Sequence, residues 1–222
     1  MKVLYHVALS PFCRKIRLAL SEKKLPFELR AERVWERREA FLALNPACDV
    51  PVFVDDDNIV LADSTSIAEY LEETYPEIPL HGSDPIERAE VRRLVAWFDR
   101  KFDTEVTENL VGEKVFKRLK RSGGPDSLTI RAGLMNIGTH LAYISFLAER
   151  RNWLAGERMT LADLAAAAHL SSVDYLGDVP WDDYAEAKDW YARIKSRPSF
   201  RALLQDQIPG LPPAPIYTNL DF

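Results

Sequence analysis

The chain is poor in cysteine: 222 residues hold only Cys13 and Cys48, far apart in sequence. Two distant thiols cannot staple a small secreted scaffold, and no His, Cys, Asp or Glu set has metal-ligand spacing. No metal site is therefore expected, and the thiols suit a reducing compartment. No apolar run approaches the ~18 residues that a membrane-spanning helix needs. The opening stretch MKVLYHVALSPFCRK has too short an apolar run for a signal peptide. A net charge of −5 lacks the positive excess of a default nucleic-acid binder. These absences leave the expectation of a cytoplasmic protein with no nucleic-acid partner and no membrane insertion. With 47% hydrophobic and 28% charged residues, the chain can bury a core and keep a solvated surface.

The apolar pattern changes period along the chain. Residues 2–8 predict a strand, and 11–24 a helix whose Phe12, Ile16, Ala19 and Leu20 share a face, with Pro11 suited to the first turn. Residues 26–30 read as a second strand and 35–44 as a helix ended by Asn45-Pro46. Residues 52–54 and 59–61 flank the acidic turn Asp55-Asp56-Asp57-Asn58 and predict a hairpin. Residues 64–75 predict a helix stopped by Pro76. The order β-α-β-α-β-β-α, with a right-handed parallel crossover followed by an antiparallel pair, is a thioredoxin-like arrangement. Beyond Pro76, Pro79, Gly82 and Pro85 every pattern is helical: 85–121, 127–151 after the break at Gly123-Gly124-Pro125, then 160–176, 182–196 and 198–206. Domains are expected at 1–79 (thioredoxin-like) and 87–206 (all-helical), with a linker at 80–86 and a Pro-rich tail at 207–222.

Thr160 stands three residues before Asp163 at the start of LADLAAAAHL, the spacing of a capping box, with Met159 and Leu164 placed as its hydrophobic staple. This box, Ser10-Pro11-Phe12-Cys13 with the following RKIRLAL, Asn45-Pro46, Val50-Pro51, and Asp63-Ser64 with IAEYL together resemble the glutathione transferase superfamily over about residues 1–205. The resemblance implies an α/β N-terminal domain followed by an all-α bundle, a homodimer, and no cofactor, with glutathione as the conceivable co-substrate. It places Ser10 where serine-type members hold the hydroxyl that favours the glutathione thiolate, aided by a helix N-terminus. Ser10 serves equally as a plain helix N-cap. The resemblance also makes Val50 and Pro51 the cis-proline turn that meets the cysteinyl part of glutathione. Asp63 and Ser64 become the pair at its γ-glutamyl end.

The pattern is broken at two positions. Asp49 stands where relatives hold Lys or Gln against the glycyl carboxylate, so it presents a like charge. Cys48 replaces a glycine that often takes positive φ. Cys13, one helical turn after Ser10, makes a Ser-x-x-Cys pair without the first thiol of a dithiol redox motif. It reads as a small buried residue or as the thiol of a glutathione-dependent reductase. His6 and His169 read as structural. The basic run Lys114, Lys117, Arg118, Lys120 and Arg121 reads as a solvated helix end or as a dock for an acidic partner.

Two segments sit poorly with a plain enzyme. Trp35 opens the charged VWERREAF, a hot-spot composition if exposed. The tail ends Ile216-Tyr217-Thr218-Asn219-Leu220-Asp221-Phe222, apolar and acidic, suited to docking on the chain's own body or on a partner. These segments, with Ser10–Lys15 and LADSTSIAEYLEE, resemble an alphaproteobacterial branch of glutathione-transferase-like division proteins that bind FtsZ. That resemblance implies a non-catalytic homodimer at the division site, with Trp35, Tyr217, Leu220, Asp221 and Phe222 as candidate partner contacts. The competing expectation is a serine-type glutathione transferase acting on small electrophiles.

Overall fold

The computed structural model describes residues 1–220. Strands β1 (Lys2–His6), β2 (Phe27–Ala31), β3 (Val52–Val54) and β4 (Val60–Ala62) form one sheet in the order β2-β1-β3-β4. β1 runs parallel to β2 and antiparallel to β3, and β3 pairs antiparallel with β4. The period-2 alternation of β1 and β3 divides their side chains between two faces. Leu4 lies opposite Phe53, and both join the main core. Tyr5 lies opposite Val52, on the face of a smaller cluster with Phe41 and Cys48.

Helices α1 (Pro11–Glu22) and α3 (Ser64–Thr74) pack on the main-core side of the sheet. The helix expected over 35–44 is much shorter. A 3-10 turn covers Val34–Glu36, Arg37 adopts φ 46°, and α2 is the single turn Glu39–Leu42. One left-handed residue cannot continue a right-handed helix. The hairpin's second strand begins one residue later than its pattern suggested, because Asp57 and Asn58 both take positive φ in the turn.

The helical part opens with α4 (Pro85–Ala96), N-capped by Asp84 with Pro85 in the first turn. It runs on through a π-helical stretch, Trp97–Phe116, into α5 (Lys117–Lys120). Then follow α6 (Ser127–Ala148), α7 (Leu161–Asp174), α8 (Ala185–Lys195), α9 (Arg201–Leu204) and α10 (Pro215–Thr218). α7 is buried along its whole length, which its alanine-rich sequence allows. The capping box at its start is formed. The Asp163 carboxylate accepts the Thr160 N–H at 2.9 Å, and Thr160 Oγ1 accepts the Ala162 N–H at 3.3 Å.

One core is shared by sheet and helices, so α1 has protein on both sides. Its basic residues are buried and find carboxylates from the helical part. Arg14 and Arg17 donate to Asp206 at 3.0 and 2.8 Å, and Lys15 pairs with Asp99. Near that pair, His169 stands 3.4 Å from Asp99, bonds Thr107 through Nδ1 at 2.9 Å, and lies 3.9 Å from Asp103. Burial pushes the His169 imidazole down, against the pull of Asp99. Asp103 is pushed up to about 7 by burial, then by the charges of Glu108 and Asp99. The unfolded chain ionises this carboxyl near the ordinary value of 3.8, whereas the folded chain holds its proton to about 7. Its contribution is therefore fully present below pH 3.8 and is lost as pH rises to 7. Asp103→Asn should raise stability at pH 8 by on the order of 2 kcal/mol and change it little at pH 4. Denaturant melts at the two pH values measure the difference.

No helix among the described residues is long and apolar enough to cross a membrane. Nor does any group of three His, Cys, Asp or Glu among them stand close enough to hold a metal ion.

Candidate functional site

Three loops at one end of the sheet build the site. The first leaves β1 and turns at Ser10, whose N–H reaches Val7 O at 3.0 Å. Pro11 at the next position has no N–H to leave unpaired, and Ser10 Oγ accepts the Cys13 N–H at 3.4 Å, capping α1. The Ser10 side chain is buried and lines a cavity of about 150 Å³ with Val7, Val34, Trp35, Asp49, Val50, Phe116 and Lys120. Its hydroxyl borders that cavity and also lies within hydrogen-bond reach of the Cys13 thiol behind it. The cavity edge at Ser10 is where a thiolate-stabilising hydroxyl would stand.

The second loop runs from Asn45 to Pro51. Asn45 Nδ2 ties down Asp49 by donating to its main-chain carbonyl at 3.1 Å and its carboxylate at 2.5 Å. Cys48 takes φ 56°, the strained conformation expected where a glycine is replaced, and its buried Sγ donates to Val34 O at 3.3 Å. The Val50–Pro51 peptide is cis. The third loop is the β4–α3 junction. Asp63 sits at φ 75°, ψ 130°, and its carboxylate accepts from the Thr65 and Ser66 N–H groups, both at 2.9 Å. Capping two orphan amides offsets the backbone strain there.

These loops enclose a second cavity, about 190 Å³, lined by Phe12, Asp49, Val50, Pro51, Asp63 and Ser64. It shares Asp49 and Val50 with the Ser10 cavity, so the two are parts of one cleft. All five residues assigned from sequence to a glutathione site border this cleft. Asp49 borders both parts with an exposed carboxylate, where an anionic ligand end would meet a like charge.

Cys13 lies behind the cleft and is fully buried. Burial pushes its thiol up to about 11, against the pull of Ser10 and neighbouring dipoles. At pH 8 the nucleophilic thiolate form is scarce. In the folded chain at pH 8, Cys13 should resist iodoacetamide for hours and react within minutes in denaturant, as followed by intact mass. Rapid native labelling at Cys13 would overturn this.

The cleft continues past Trp35 into a larger groove of about 480 Å³, lined by Arg33, Trp35, Glu36, Arg118, Leu119, Lys120, Arg121 and Pro209. Trp35 is half-buried and borders both concavities. Arg33 pairs with Glu36 at 3.1 Å, and Arg118 donates to Gly210 O at 3.0 Å. Lys120 and Arg121 are exposed and form no ion pair among the described residues. Sequence alone marked Trp35 and the basic run separately. The fold places them on the two walls of one groove.

The tail divides. Tyr217 is fully buried, donates to Leu203 O at 2.8 Å, and packs 5.3 Å from Tyr175 and 5.8 Å from the Arg14 guanidinium. It docks the tail on the chain's own body, so it presents no side chain to a partner. Lys195 donates to Ile216 O, and Ala214 N–H to Tyr175 O, reinforcing that attachment. Leu220 is exposed. Asp221 and Phe222 lie outside the described residues.

A family model described as the glutathione S-transferase N-terminal domain matches residues 4–79, and one for the C-terminal domain matches residues 136–198. FtsZ-localized protein A of Caulobacter vibrioides is 52% identical over 224 residues, spanning 100% of this chain and 98% of that protein. A crystal structure of a glutathione S-transferase from Rhodospirillum rubrum F11 superposes with TM-score 0.98 at 56% identity, covering 100% of both chains. The structure of FzlA from C. crescentus superposes with TM-score 0.96 at 52% identity, covering 100% of this chain and 99% of that one.

Proposed function

The chain belongs to the glutathione S-transferase family, and we propose that within it this protein is a non-catalytic homodimer that associates with FtsZ filaments and supports bacterial cell division. The observation that carries this reading is the 52% identity, over the whole chain, to a protein named for its localisation with FtsZ. The groove supports it. A half-buried Trp35 faces unpaired Lys120 and Arg121, the composition of a hot spot for an acidic partner segment. Exposed Leu220 and the terminal Asp221 and Phe222 are further candidate contacts. On this reading the protein works in the cytoplasm, at the division site. Domains at 1–79 and 87–206, joined by 80–86, give the dimer its two parts, with the first packing on the partner's second. Co-sedimentation with polymerised FtsZ tests association, and filament curvature under the electron microscope tests remodelling. If the chain neither pellets with filaments nor changes them, the reading fails.

A serine-type glutathione transferase is the second reading. The Ser10 hydroxyl at the cleft edge and the Val50, Pro51, Asp63 and Ser64 lining favour it. Asp49 opposes it. Calorimetry with millimolar glutathione and a thiol-conjugation assay separate the two readings, and absence of both heat and product rejects the transferase.

A further inference from the structure

Beyond α9 the chain turns back over the C-terminal end of α7. Ile208-Pro209-Gly210-Leu211 closes on itself through the Leu211 N–H, which donates to Ile208 O at 2.9 Å. Proline at the second position and glycine at the third, with φ 72°, are the marks of a type II turn. Tyr175 is fully buried behind this turn and grips both of its ends. The Tyr175 hydroxyl donates to Leu211 O at 2.7 Å and accepts the Ile208 N–H at 3.0 Å. Its main-chain carbonyl accepts the Ala214 N–H at 2.9 Å. Segments near a chain end are ordered only where they are tied down in this way.

The tip of the turn forms part of the groove that holds Trp35. Pro209 lines that groove, and Gly210 O accepts from Arg118 Nη1 at 3.0 Å. Arg118 is exposed and stands beside Lys120 and Arg121, yet it forms no ion pair among the described residues. Its remaining side-chain N–H groups make no hydrogen bond among them either. The contact with the turn is close: a Cβ at Gly210 would stand 2.5 Å from Arg118 Nη2. Glycine therefore serves twice there, for the positive φ and for the approach of the guanidinium. An arginine already laid against a fixed carbonyl has less side-chain freedom left to lose when a partner binds.

We propose that the Pro209–Gly210 turn is a built wall of the groove that presents Arg118 to a carboxylate of the acidic partner segment, with Gly210 and Tyr175 as positioning residues. This rests on the groove reading above and adds a control to it. The tail acts on the partner through Arg118, from a turn that precedes its terminal residues.

The test is a cycle of four proteins in co-sedimentation with polymerised FtsZ: the unaltered chain, Gly210→Ala, Arg118→Ala, and both changes together. Alanine at 210 pushes the end of Arg118 off the carbonyl and leaves the core untouched, which thermal melting checks. Arg118→Ala should weaken binding about tenfold, the loss of one charge-assisted hydrogen bond. Gly210→Ala should weaken it several-fold, and the double variant no more than Arg118→Ala alone. A turn with a structural role only would give losses that multiply. Tyr175→Phe keeps the ring and removes both hydroxyl bonds, so it should weaken binding as Gly210→Ala does and speed hydrogen exchange at the Ile208 amide. The Arg118 Nε–H resonance gives a readout without FtsZ: it should be sharp in the unaltered chain and broadened in Gly210→Ala. If the unaltered chain fails to pellet, the FtsZ reading falls, and this resonance still decides whether the turn holds Arg118. Full binding by Gly210→Ala, multiplied losses in the double variant, or an Arg118 resonance unchanged by Gly210→Ala overturns the proposal.

Discussion

Reversing the charge of Lys120 and Arg121 together is expected to remove most of the binding to FtsZ filaments while leaving the fold intact. Both side chains are exposed, neither has an internal ion-pair partner among the described residues, and both line the groove that Trp35 shares. Glutamate at these positions would replace attraction for an acidic segment by repulsion, which acts on encounter rate as well as on the bound state. Trp35→Ala should act differently, removing a large half-buried aromatic surface rather than a charge. A central aromatic anchor is worth about 2 kcal/mol or more, so binding should weaken at least ~30-fold. The charge-reversed variant should show a changed salt dependence and Trp35→Ala should not. Equal binding in all three proteins would place the interface elsewhere.

Asp163→Ala is expected to cost on the order of 4 kcal/mol of folding stability. The Asp163 carboxylate is fully buried and accepts from the Leu154 and Thr160 N–H groups at 2.9 Å, the Trp190 Nε1–H at 3.0 Å, and the Thr160 hydroxyl at 3.2 Å. Burial pushes this carboxyl up, and the same four donors pull it back. Alanine leaves two buried amides and an indole N–H without an acceptor, each worth about 1–3 kcal/mol. Asp163→Asn should cost less, because one acceptor oxygen survives. Thr160→Ala, which removes the N-cap oxygen alone, should cost about 1 kcal/mol. Urea unfolding should rank the three in that order, and an Asp163→Ala cost no larger than that of Thr160→Ala would refute this account.

The fold was legible where local chemistry and burial agree. Ser10-Pro11 at the start of α1, Asp84-Pro85 at the start of α4, and Thr160 with Asp163 at α7 are caps whose geometry depends on a few neighbouring residues. The shortening of α2 was not legible. Arg37 carries no residue-type signal for a left-handed conformation, and the surrounding apolar spacing fits a helix. The loose winding of Trp97–Phe116 was hidden for a similar reason: the apolar stripe it buries does not reveal how the backbone is bonded. At the site, the positive φ of Cys48 could be anticipated because the resemblance places it where the family pattern carries a glycine. The meeting of Trp35 with Lys120 and Arg121 could not, since it arises from packing between segments some 80 residues apart. Tyr217 was ambiguous in sequence because a tyrosine near a terminus serves a core or a partner equally well. Its hydrogen bond to Leu203 and its place beside Arg14 resolve it as core.

The central claim is that the groove at Trp35, and not the Ser10 chemistry, carries the function. Its most direct test is co-sedimentation with polymerised FtsZ of three proteins: the unaltered chain, Ser10→Ala, and Lys120→Glu with Arg121→Glu. The unaltered chain and Ser10→Ala should pellet with filaments to the same extent, and the charge-reversed protein should stay in the supernatant. Loss of pelleting in a folded Ser10→Ala protein, or undiminished pelleting of the charge-reversed one, would contradict the claim.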